Sequence, residues 1–156
     1  MEGGKLVSLW IIKGILFALL LIVAAIYDLR KREIPDAISF FIVSIGFISI
    51  NILEALVGLF MTGIPYLLAA ILIKKDIGFS MGGGDIKLMG ACGFVLGAPL
   101  GTLQSIISLL LALVVGMCVK ASNSNSNWNQ ISLPLAPFFC VGGILSYSAR
   151  IMSFIN

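Results

Sequence analysis

The acidic chemistry of this chain rests on seven residues: Glu2, Asp28, Glu33, Asp36, Glu54, Asp76 and Asp85. Two of them stand where an apolar run meets a polar one. Asp28 follows Ile26-Tyr27 and opens Asp28-Leu29-Arg30-Lys31-Arg32-Glu33-Ile34-Pro35-Asp36, and Asp85 follows Gly82-Gly83-Gly84 and leads into Ile86-Lys87-Leu88. Carboxylates at the ends of apolar segments are ordinary, but one preceded by three glycines is not. Brought together, two such groups can share a proton, because like charges about 3 Å apart cannot both ionise cheaply. The ionised member can then take a proton from water, and the protonated member can hydrogen-bond a carbonyl and stabilise the oxyanion formed on attack. That is amide hydrolysis with no metal and no cofactor.

Elimination narrows the chemistry further. The chain has no histidine, which removes Ser-His and Cys-His nucleophile pairs and His-ligated zinc. Cys92, Cys118 and Cys140 stand singly in apolar runs without CxxC spacing, as packing residues do. Ser80 and Lys87 form a Ser-Lys pair only formally. Gly82, Gly83 and Gly84 can adopt positive φ and let another backbone approach, and just before a helix they leave amide N–H groups free to pair with an extended peptide beside Asp85. The plain alternative is a flexible loop with Asp85 as a helix cap. Lys87, two residues beyond, is read either as a group acting on Asp85 or a substrate carbonyl, or as an interfacial lysine. Asp36, following Pro35, is expected to cap the next helix.

The elements that must position these groups lie in lipid. Of 156 residues, 60% are hydrophobic and 11% charged, against about 25% charged in soluble domains. The net charge of +3 is scattered over short loops and offers no basic stripe for nucleic acid. Six apolar spans are predicted, at roughly 7–27, 37–54, 56–73, 86–97, 101–119 and 134–152. A helix needs about 20 apolar residues to cross a bilayer; all but the fourth meet that length, and the fourth and fifth read alternatively as one element bent at Gly97-Ala98-Pro99. Continuous rather than alternating runs favour helices over a barrel. The expectation is an all-α polytopic bundle of about six transmembrane helices, a single domain over 1–156. The first span is too long for a signal peptide and has no small-residue cleavage site before Tyr27-Asp28; Lys13 within it is expected to snorkel to the interface opposite Asp28. The stretch from Ser122 to Asn127 reads as a flexible polar loop.

Arg30, Lys31 and Arg32, then Lys74, Lys75 and Lys87, then Lys120 mark three basic loops. The positive-inside rule puts these in the cytoplasm and both termini outside, with Lys5, Lys13 and Arg150 dissenting. Glu54 falls in an opposite loop. Two complete spans separate Asp28 from Asp85, so both aspartates face one side whichever way the chain inserts.

In order along the chain, these motifs resemble the type IV prepilin peptidases, membrane aspartic proteases of the GxGD kind, and in particular their short peptidase-only form. Asp28 through the Ile34-Pro35 pair looks like the family's first motif. Gly82-Gly83-Gly84-Asp85-Ile86-Lys87-Leu88, with Gly93 and Leu96-Gly97 downstream, looks like the second. Leu133-Pro134-Leu135-Ala136-Pro137-Phe138-Phe139 with Gly142 looks like the proline-rich final helix. The resemblance implies that Asp28 and Asp85 are the catalytic pair, facing the cytoplasm from a multi-pass plasma-membrane protein. It implies a prepilin-like substrate with a basic leader and an apolar helix, cut just after a glycine. The larger members add an N-terminal region with paired cysteines and an N-methyltransferase activity; neither precedes residue 20 here, so methylation is not expected. Two other readings stay open. One is a presenilin-like intramembrane protease, for which the aspartates are separated by too little chain. The other is a non-enzymatic membrane scaffold or ion carrier, which would place its acids nearer mid-span.

Overall fold

The computed structural model describes residues 2–48, 51–72, 82–122 and 133–155. Lys74, Lys75, Asp76, Ser80 and the Ser/Asn loop from Asn123 onward lie outside them. The described residues form six helices and no strand: α1 (Glu2–Lys31), α2 (Asp36–Gly46), α3 (Ile52–Leu72), α4 (Gly83–Leu96), α5 (Ala98–Ser122) and α6 (Ala136–Ile155). Three of them, over Val7–Lys31, Ile52–Leu72 and Ala98–Ser122, are long and apolar enough to cross a membrane. The chain is an all-α polytopic membrane protein.

α4 lies at the centre, flanked by α2, α3, α5 and α6, while α1 packs between α2 and α6. Every residue from Leu88 to Leu96 is buried, which is the fate of a helix apolar on all faces. Its seam with α3 uses small residues: a side chain at Gly58 would overlap the Gly93 carbonyl, and Gly63 and Gly90 meet Cα to Cα. Small residues that let backbones close up are how helices associate in lipid, where apolar burial gives no drive. Thr62 pins the seam, its hydroxyl within hydrogen-bond distance of the Gly58 carbonyl (2.9 Å) and, across the seam, of the Met89 carbonyl (3.0 Å).

One helix is shorter than the span predicted for it. The expected span 37–54 ends as a helix at Gly46, with 11 residues or about 16 Å of rise, against a hydrocarbon core of about 30 Å. Glu54 accordingly belongs to the first turn of α3, not to a loop. The reason is Lys13. It does not snorkel: it is 2% exposed, and its ammonium donates to the carbonyls of Gly46 (3.2 Å) and Ile48 (3.0 Å). A cation at the orphan carbonyls of a helix end is favourable on charge and hydrogen bonding together. Arg150 treats α4 alike, donating to the Leu96 carbonyl (2.9 Å) while facing Glu54 at 3.9 Å. Two of the three basic residues that depart from the charge rule, Lys13 and Arg150, are thus consumed inside the protein.

α4 and α5 are two helices, not one bent element. They are separated by Gly97 alone, at φ 77°, a left-handed value natural to glycine. α5 opens at Ala98, three residues ahead of the expected start. Pro134 and Pro137 do not break the sixth helix: Pro134 precedes it and Pro137 lies in its first turn, where a missing N–H costs little.

Candidate active site

Asp28 sits in the last turn of α1, which runs on past it to Lys31. The chain then turns at Arg32, with φ 54°, and passes through Ile34 and an extended Pro35 into α2. Pro35 has φ −60° and ψ 133°, close to the angle its ring imposes, so it fixes how the first motif leaves α1. On the other side Gly82 precedes α4 in extended conformation, and Asp85 lies in that helix's first turn.

The two motifs meet at two points. A Cβ on Gly84 would lie 3.1 Å from Ile34 Cβ and 3.3 Å from its carbonyl oxygen, so any side chain here would press the first motif back by a few tenths of an ångström. The Lys87 ammonium holds both oxygens of Asp36 at 2.8 and 2.7 Å. Asp36 therefore does not cap α2, which has no side-chain cap bond at its start; its carboxylate is spent on Lys87. The other two glycines differ from expectation. None of Gly82, Gly83 and Gly84 has positive φ, because Gly83 and Gly84 already belong to the helix. A Cβ at Gly83 would meet nothing, and one at Gly82 would meet only Asp85 Oδ2 at 3.3 Å.

Asp28 is buried at 6% exposure. Its Oδ2 accepts a hydrogen bond from the Ala136 N–H at 2.9 Å, the first residue of α6. Leu135 supplies the carbonyl for that helix's opening bonds, from Phe138 and Phe139, so Ala136 is an orphan donor that Asp28 satisfies. The proline-rich motif is thereby drawn to the pair. Asp85 has a different setting. Its Oδ1 is buried and accepts no hydrogen bond from the described residues. It stands just ahead of the apolar run that begins at Ile86. Burial pushes its carboxyl up to about 6, and the nearby charge of Asp28 adds to that, against a smaller opposing backbone hydrogen bond from Gly82. The two carboxyls are thus close enough to feel one another, in unequal surroundings. Such a pair can hold one proton between water and a peptide carbonyl.

A sequence profile described as the type IV leader peptidase family matches residues 15–120, taking in both aspartates. The chain belongs to the type IV leader peptidase family. One relative is the prepilin leader peptidase/N-methyltransferase of Bacillus subtilis (strain 168), 28% identical over 145 residues. That alignment covers 90% of this chain and 57% of the relative, so the chain spans little more than half the relative's length. No solved structure matches.

Within this family member the structure adds partners that the motifs did not name. Ala136 contributes a backbone donor, which no side-chain pattern marks. Tyr66 of α3 is buried and in electrostatic reach of Asp85. Ser105 of α5 donates to its hydroxyl at 3.1 Å, and Phe139 of α6 meets its ring edge-on at 5.7 Å between centroids. Tyr66 had one available signal, a tyrosine inside an apolar span. α5 is keyed to α6 below them: Gln104 Nε2 donates to the Phe139 carbonyl (3.0 Å), and Ser108 donates to that of Phe138 (3.0 Å).

Proposed function

We propose that this protein is an aspartic endopeptidase of the plasma membrane that removes the basic leader from prepilin-like precursors, after a glycine and on the cytoplasmic side. Asp28 and Asp85 are the shared-proton pair. The observation that carries the reading is that a buried Asp28 from α1 and a half-buried Asp85 from α4 lie within electrostatic reach of one another. Family membership supports the substrate class, and the B. subtilis relative's name includes a prepilin leader peptidase. Its name also includes an N-methyltransferase, and our proposal is confined to the peptidase. The exposed, basic Arg30-Lys31-Arg32 segment beside Asp28 supports the cytoplasmic assignment. The reaction requires no cofactor or metal: one carboxylate takes the proton of the attacking water while the other carboxyl hydrogen-bonds the scissile carbonyl.

Co-expression with a precursor carrying a basic leader, a glycine and an apolar helix tests this, with leader removal read as a gel shift. Asp28→Asn and Asp85→Asn are expected to abolish cleavage while the protein still accumulates in the membrane. Asp36→Asn and Glu33→Gln are expected to keep substantial activity. For Asp36 the reason is that an exposed ion pair, here 57% and 72% exposed, contributes at most about 1 kcal/mol. An active Asp28→Asn beside a dead Asp36→Asn would show that the first-motif aspartate was misassigned.

A further inference from the structure

A dyad with one proton has two possible divisions of labour. The surroundings of the two carboxyls in this structure are unequal in a way that selects one of them. Asp28 Oδ2 receives the Ala136 N–H from the first turn of α6. That is a charge-assisted bond at the positive end of a 20-residue helix. Asp85 has the Gly82 backbone as a donor, but its Oδ1 is buried and receives no hydrogen bond from the described residues, which costs an anion more than a neutral acid. α6 is held in place by α5 through Gln104 and Ser108, so its N-terminus is a fixed feature rather than a loose contact.

We propose, on the peptidase reading above, that α6 sets the roles of the pair: through the Ala136 N–H it holds Asp28 as the ionised member, leaving Asp85 as the protonated one. Ala136 is then a positioning residue acting by its backbone. The steps follow and balance. The Asp28 carboxylate takes a proton from water as the water oxygen bonds to the scissile carbon. Asp85 gives its proton to the carbonyl oxygen, and a neutral gem-diol results. Asp28 then passes its proton to the amide nitrogen as the C–N bond breaks, and Asp85 recovers a proton from one gem-diol hydroxyl. The new acid and amine leave with the carboxylate and the acid as they began.

The ionisable groups that face the pair do not reverse this order. Lys87 of α4 is bound to Asp36 of α2. Tyr66 of α3 reaches Asp85 only. Cys92 of α4 and Cys140 of α6 lie further into their helices and are buried. Arg30, Lys31 and Arg32 beyond Asp28 are exposed, and α5 brings Ser105 without a charge.

The test is dicyclohexylcarbodiimide, which adds to protonated carboxyls in apolar surroundings, applied to the purified full chain in detergent across pH 4–9 and read by peptide mass spectrometry. It needs no cleavage assay. Asp85 is expected to react severalfold faster than Asp28 at pH 6. Replacing Ala136 by lactic acid through nonsense suppression turns its N–H into an ester oxygen and deletes only the donor. Asp28 should then react severalfold faster, because the charge-assisted bond that favours its carboxylate is gone. Ala136→Gly keeps the N–H and should keep the labelling order. Faster addition to Asp28 than to Asp85 in the native chain, or an ester variant with an unchanged Asp28 rate, overturns the proposal. If both Asn variants of the dyad still cleaved, the peptidase site itself would fail; if they are inactive and the labelling order is reversed, only the division of roles fails.

Discussion

At the scale of single residues, Gly84 makes the sharpest steric demand in the site. Its absent side chain is what lets α4 approach Ile34, whereas Gly83 faces open space. Gly84→Ala should therefore lower cleavage more than Gly83→Ala at equal membrane levels. Roughly tenfold is reasonable, since displacing a catalytic group by a fraction of an ångström is costly. Equal effects of the two substitutions would remove Ile34 from the account. Asp85 makes a second prediction. Its carboxyl titrates in the fold at about 6, above its ordinary value, so the folded protein binds that proton more tightly than the unfolded chain does. The resulting stability is fully present below the ordinary carboxylate range and is lost as pH rises through about 6. Asp85→Asn should raise the melting temperature in detergent at pH 8 relative to the native chain, with the gain vanishing by pH 4; a gain that is the same at both would contradict it. The two aspartates were legible from residue type and position. The groups that make them unequal were not, because the donor is a backbone N–H and the lack of a donor to Asp85 Oδ1 among the described residues is a matter of packing.

At the scale of elements, six helices in the right order could be read from hydrophobic runs alone, and the failures share one cause. Span 37–54 read as long enough to cross because apolar residues continue past Gly46. The run shows nothing of a lysine 33 positions earlier that takes the helix's last carbonyls. The same blindness made Lys13 look like an interfacial lysine. Lys13→Met, close in volume and lacking the charge, should leave the carbonyls of Gly46 and Ile48 without their donor. The expected loss is about 1–3 kcal/mol, the cost of leaving buried polar groups unsatisfied, read as a lower melting temperature in detergent. An unchanged melting temperature would show that Lys13 is not what ends α2. Gly97 was flagged as a break, and its positive φ explains why the break is complete: α5 starts afresh one residue later.

At the scale of the whole molecule, the proposal requires both aspartates to face the cytoplasm. With Cys92, Cys118 and Cys140 replaced, single reporters Glu33→Cys and Pro99→Cys decide the matter. An impermeant maleimide on intact cells should label position 99 and spare position 33 until the cells are opened. Labelling of 33 from outside would invert the protein and exclude a cytoplasmic leader as substrate. Parity of spans put both aspartates on one side by counting two complete crossings between them, and one of those two helices, α2, is too short to cross as a helix alone. That shortness has a consequence for the surrounding lipid. α3, with 21 residues, presents about 31 Å of apolar height to the acyl chains, and α2, with 11 residues, only about half of that. Phe40 and Phe41 nonetheless point outward from α2. The hydrophobic belt of the protein is therefore notched on one flank, and acyl chains there must shorten, tilt or let headgroups dip, at fractions of a kcal/mol per ångström. The missing height lies beyond Gly46, at the end of α2 away from the Ile34-Pro35 turn, so the mismatch falls at the end opposite the loop that leads away from Asp28.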